Sequence, residues 1–200
     1  MPTLKAFLVA VHNGYNDHAY HNFRHGFGVL HVVYLLMTRG GAMRHLDYLE
    51  VAALCIASLC HDINHNGLNN AYYVNSSHEL ALVYNDISVL ENMHASNTLR
   101  ILKKRSTNIL EHLPVAEYKQ VRKTIVSAIL HTDMADHFDL TNKLRALVED
   151  GNFSPRDNKQ HRELLIGAMI HSADLSNPVL PRDSAVRWSK AVYQEFNRQV

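Results

Sequence analysis

Two hundred residues suffice for one domain with a real core and do not call for a second. A hydrophobic content of 46% with 20% charged residues is ordinary for a soluble globular chain, and a formal net charge of +1 gives no reason to expect nucleic acid or an anionic bilayer as the main partner. The one compositional excess is fifteen histidines, a residue much used for metal ligation and proton transfer.

In chain order, Leu4, Phe7, Leu8 and Val11 open an apolar stripe at helical spacing. Leu30, Val33, Tyr34 and Met37 carry a second helix, which Gly40 and Gly41 stop. Asp47 is placed to cap a third, bearing Val51, Leu54, Cys55 and Leu59. The stretch "SSHE", residues 76–79, has the Ser-x-x-Glu pattern of a capping box ahead of "LALVY". Val121, Ile125, Ile129 and Leu130 mark a further helix, Leu164, Leu165, Ala168 and Met169 another, and Trp188, Val192 and Phe196 a last one. The five prolines fall between these segments, and no stretch alternates with period two for long enough to suggest a sheet. The expected fold is a single all-α domain over residues 1–200.

Cys55 and Cys60 lie five apart on different faces of one predicted helix, so they are expected to stay unpaired, as in a reducing compartment. "MPTLKAFLVAVHNGY" lacks the basic start and small-residue cleavage site of a secretory leader, and "VAALCIASLC" is too short to span a bilayer. The expectation is a cytoplasmic chain with no membrane insertion.

Three stretches carry chemistry. "YHNFRH" puts His21 and His25 about one helical turn apart, a spacing that surface or capping histidines also produce. "CHDINHNGLNN" sets His61, Asp62 and His65 at the end of an apolar run. Adjacent His61 and Asp62 can share an ion only where the helix ends, and Gly67 is the expected terminator. A solvated C-terminal turn is the plainer alternative. "HSADLSNP" adds Asp174 at the end of another helix. Together His25, His61, Asp62 and Asp174 offer two imidazoles and two carboxylates from three helices, a donor set that suits zinc or another first-row metal better than calcium. Were one carboxylate to bridge, a more hydrated magnesium or manganese could sit alongside.

"YHNFRH", "HDINHNGLNN", "ELALVYNDISVLENMH", "HTDM" and "HSADLSNP" follow one another as in the class I cyclic-nucleotide phosphodiesterases, all-helical members of the His-Asp metal hydrolases, which the chain resembles from about Phe7 onward. The resemblance implies hydrolysis of a 3′,5′-cyclic nucleotide to the nucleoside 5′-monophosphate. It implies zinc held by His25, His61, Asp62 and Asp174, a magnesium or manganese ion bridged by Asp62, and His21 as general acid. His65, Glu91, His94 and Asp133 would orient ligands and water from behind. Asn177 would contact the purine, with Tyr20, Asn70, Met134 and Leu175 lining the pocket. A carboxylate beside His21, such as Glu91, would favour its charged form.

The departures are Gly28, Met93 and Asn66, where the family commonly has aspartate, histidine and proline; Asn66 should loosen its turn. The family's later helices, with their purine-binding glutamine and stacking aromatic, lie beyond residue 200. The apolar face of Trp188, Val192 and Phe196 is therefore expected to be uncovered and prone to self-association. The rival readings are another nucleotide phosphohydrolase of the same superfamily and a non-catalytic metal-binding relative.

Overall fold

The helix that starts at Asp47 is the one around which the others pack. Asp47 Oδ1 accepts from the Glu50 N–H at 2.8 Å while Glu50 Oε2 accepts from the Asp47 N–H at 2.9 Å, a reciprocal cap that satisfies two otherwise orphaned donors. The computed structural model describes residues 2–198, which contain ten α-helices and no strand. These are α1 (Pro2–Gly14), α2 (Phe23–Thr38), α3 (Tyr48–Cys60), α4 (Asn70–Asn75), α5 (Glu79–Val83), α6 (Val89–Lys103), α7 (Val115–Leu130), α8 (His137–Glu149), α9 (Lys159–Asp174) and α10 (Arg182–Phe196). Among the described residues no helix is long and apolar enough to cross a membrane. Cys55 and Cys60 are both free.

Most of α3 is buried, so it can only be central. It lies between α2 and α7, with α9 closing over α2 and α7. Val33, Met37, Leu54, Ala57, Ile125, Ile129 and Ile170 meet in this core, where a fully buried aliphatic side chain contributes roughly 1.5–3 kcal/mol. Glu50 does more than cap, because its other carboxylate oxygen accepts from Arg162 Nε of α9 at 2.8 Å and ties the two helices together. A smaller cluster of Tyr73, Ala81, Val89, Leu90 and Met93 holds α4 and α5 against α6.

Local details differ from the sequence pattern for identifiable reasons. His78, not Ser76, caps α5, its Nδ1 accepting from the Leu80 N–H at 3.1 Å, while Ser76 closes α4 instead. Chain reversal after α3 comes from Asn64, which adopts the left-handed conformation (φ 66°) before Gly67 is reached. Asn66 is held by side chains on two sides, accepting from Asn16 Nδ2 at 3.0 Å and donating to the Tyr73 hydroxyl at 3.3 Å. The α10 stripe is not laid bare as expected. Trp188 and Val192 are half-buried, with the Trp188 ring 5.5 Å from that of Tyr20, and only Phe196 of the three is exposed.

One close approach sets a hard limit. The Tyr15 hydroxyl donates to the Leu59 carbonyl at 2.9 Å directly over buried Gly26, and a Cβ there would meet that hydroxyl at 2.5 Å and the carbonyl at 3.0 Å. Gly26→Ala should therefore force α2 off α3 and destabilise the fold by roughly 1–3 kcal/mol, read as a lowered urea midpoint with unchanged slope.

Candidate active site

Three helix ends meet at one point. Asn22 caps α2 by accepting from the backbone N–H groups of Arg24 and His25, which places His25 in the first turn. His61 follows the last residue of α3, with Asp62 next in the turn, and Asp174 is the last residue of α9. The four donor atoms form a closed ring. His25 Nε2 lies 3.3 Å from Asp62 Oδ2 and 2.8 Å from Asp174 Oδ1, and His61 Nε2 lies 3.1 Å from each of the same two oxygens.

These edges suit a shared cation, since ligands about 2.1 Å from one metal stand about 3.0 Å apart at right angles and about 3.4 Å apart in a tetrahedron. The tautomer agrees. His61 Nδ1 donates to the Ser58 carbonyl at 2.9 Å, which leaves Nε2, facing the two carboxylates, as the nitrogen that a cation would take in place of a proton. Burial opposes ionisation of Asp62 and Asp174, yet the imidazoles of His61 and His25 outweigh it and hold both well below the usual carboxylate range. Burial likewise disfavours charge on His25 and His61, and the carboxylates reverse that too. The donor set fits a divalent cation.

His21 lies beside this ring in the segment before α2, and its anionic partner is Glu195 of α10 rather than the expected Glu91. Glu195 Oε1 bonds His21 Nδ1, and Oε2 accepts from the backbone N–H groups of Tyr20 at 2.9 Å and His21 at 3.1 Å. Burial would raise the Glu195 carboxyl, but the hydrogen bond and charge of His21, with those two N–H groups, hold it down at about 2. The His21 and His65 rings stack at 3.7 Å and 15°, so His65 supports the ring from its far face. His65 Nδ1 accepts from the Gly67 N–H, and burial keeps this imidazole well below its ordinary pKa. His94 donates through Nδ1 to the Ile63 carbonyl at 2.7 Å, leaving Nε2 3.9 Å from Asp62 Oδ1, and burial lowers it to about 4.

Glu195 is the residue that pattern reading passed over. Its signal was a carboxylate on the apolar face of a helix, seven residues after Trp188 and three after Val192. Glu91 has another partner, accepting from Asn70 Nδ2 at 2.9 Å; burial raises its carboxyl to about 7. Asn70 Oδ1 accepts from the Leu90 N–H at 2.9 Å, so this one amide also caps α6 from outside.

The expected pocket residues divide between two cavities. A cavity of about 340 Å³ is lined by His21, Asp62, Asn70, Glu91, Met134 and Asp174, with His65, His94 and Asp133 also in its wall. A smaller one of about 140 Å³ is lined by Tyr20, Leu175, Asn177 and Trp188, and it too borders Asp174. Asn177 Nδ2 donates to the Tyr20 hydroxyl at 2.9 Å in its wall.

The family model for 3′5′-cyclic nucleotide phosphodiesterase matches residues 20–200, and the chain belongs to that family. It is 41% identical over 197 residues to the 3′,5′-cyclic-nucleotide phosphodiesterase regA of Dictyostelium discoideum, covering 98% of this chain and 25% of that protein. It is 34% identical to the human high affinity cGMP-specific 3′,5′-cyclic phosphodiesterase 9A, covering 98% of this chain and 33% of that one. The phosphodiesterase domain of the RhoPDE fusion protein from the choanoflagellate Salpingoeca rosetta superposes with a TM-score of 0.96 at 41% identity, over 99% of this chain and 62% of that one. The chain thus spans about a quarter to a third of these two curated relatives.

A lowered carboxyl lends stability that is present above its ordinary pKa of 4.5 and lost as pH falls toward about 2. Glu195→Gln should be less stable than wild type by roughly 1.5–3 kcal/mol at pH 7. The gap should narrow as pH drops below about 4.5, measured by urea unfolding from pH 7 to pH 3.

Proposed function

We propose that the chain hydrolyses a 3′,5′-cyclic nucleotide to the nucleoside 5′-monophosphate. The observation that carries this reading is one cavity whose wall holds Asp62 and Asp174 of the donor ring together with His21, the partner of Glu195. Those four residues would hold the first cation, taken to be zinc. Asp62, whose Oδ1 lies outside the ring, would be shared with a magnesium or manganese ion. Bound divalent cations supply neutralisation of the phosphoryl oxygens and a water acidic enough to attack phosphorus.

The protein's own groups handle orientation and the leaving group. Glu195 fixes the His21 ring through Nδ1 and balances its charge when protonated, so a proton at the other nitrogen can pass to the departing 3′ oxygen. His65 and His94, kept neutral by burial, brace His21 and face Asp62 without adding competing charge. The smaller cavity would take the base. Asn177 Nδ2 is already committed to Tyr20, which fixes the amide so that its oxygen can accept an exocyclic N–H.

The test separates metal binding from proton transfer. Elemental analysis should find divalent metal in wild type and in His21→Ala, and little in Asp62→Ala. His21→Ala should lose roughly 10²–10⁴-fold in turnover of a cyclic nucleotide, and much less on an activated phenolic phosphodiester whose leaving group needs no proton. Equal losses on both substrates, or metal-loaded wild type inert toward every cyclic nucleotide, would overturn the reading.

Val186, Tyr193 and Phe196 remain exposed on α10, and self-association of an otherwise cytoplasmic chain through them is part of the proposal. Sedimentation velocity should show mass rising with concentration in wild type and not in Val186→Ser/Tyr193→Ser. A wild type that stays monomeric throughout removes this element.

A further inference from the structure

The net charge of +1 conceals a strong asymmetry. Residues 100–123 carry seven Lys and Arg against two carboxylates, a local +5, so the remaining chain is net −4. Both local carboxylates are engaged, Glu111 with Arg105 at 3.5 Å and Glu117 with the Tyr48 hydroxyl, while Lys123 pairs with Glu163 at 2.6 Å. Arg100, Lys103, Lys119 and Arg122 form no ion pair among the described residues, and all four are exposed.

These four cations are gathered on two clefts. Between α6 and α7 a cleft of about 390 Å³ is lined by Arg100, Lys103 and Arg122, with Tyr84, Ser96 and Tyr118, and no acidic residue is in its wall. On the other flank of α7 a cleft of about 570 Å³ is lined by Lys119, Arg122 and Lys123, with Asp136 its single carboxylate. Arg122 and Val126 belong to both, so the two clefts adjoin across α7. The donors stand at the C-terminal half of α6, while Glu91 and His94 occupy its first half, about two turns or more away.

We infer that this double cleft docks an acidic protein segment, laid across α7 with its carboxylates or phosphates on Arg100, Lys103, Lys119 and Arg122. Guanidinium groups suit such ligands because their planar forks bind carboxylate and phosphate bidentately. The two clefts together exceed the needs of a free phosphate ion. A bilayer is a poorer fit, since it cannot enter concave clefts and their walls offer none of the large exposed apolar side chains of the molecule.

The probe is a fluorescein-labelled ten-residue polyglutamate peptide, titrated with the whole chain and read by anisotropy at two salt concentrations. Binding should weaken as salt rises. Arg100→Glu/Arg122→Glu should weaken it at least about tenfold, and Arg100→Gln/Arg122→Gln by less, with circular dichroism and metal content unchanged. Lys5→Glu/Arg145→Glu makes the same change in net charge elsewhere and should stay close to wild type. No binding, equal losses in the two charge-reversed variants, or binding confined to phosphatidylserine vesicles would overturn the inference.

Discussion

The site is organised by a shortage of positive charge. Asp62 and Asp174 are brought against two imidazole nitrogens where burial opposes ionisation, an arrangement that is costly unless protons or a cation balance it. The helices deepen the shortage. Both α3 and α9 end at this point, so the partial negative charge of two helix C-termini adds to the carboxylates, while α2 directs its positive end there. Helix ends are where such convergence is feasible, because adjacent His61 and Asp62 could not face one ion from the middle of a regular helix.

Much of this was legible in the chain. Helical periodicity marked α1, α2, α3, α7, α9 and α10, and Asp47 was readable as a cap because it precedes an apolar run at helical spacing. Three of the four ring residues stood out because His61, Asp62 and Asp174 ended apolar helices, and His25 because it lies one turn from His21. What escaped notice depends on distance. Glu195 finds its partner 174 residues away, and no local pattern links the two. Ser76 lost its expected role because His78 offered a cap acceptor nearer to α5. The charge on α6 and α7 was invisible in a whole-chain sum, since acidic residues elsewhere cancel it.

Glu195 also changes the meaning of α10. Apart from Trp188 and Val192, that helix leaves large apolar side chains exposed, so a buried ionic anchor is a main part of what fixes it. One carboxylate closes the segment around Tyr20 and His21 with three bonds. The last helix thereby orders a segment near the start of the chain, a long-range dependence that local propensity cannot replace.

Asn70 carries a consequence of another kind. Its amide must donate to Glu91 with one end and accept from the Leu90 N–H with the other, and few side chains offer both groups at that reach. Aspartate has the shape but would put a second carboxylate in place of the N–H donor to Glu91, leucine would orphan the Leu90 N–H, and glutamine is a methylene too long. Folding chemistry thus places its own demand on position 70, separate from any demand of catalysis. A lineage that lost its activity would still be held to this asparagine for as long as α6 had to begin where it does.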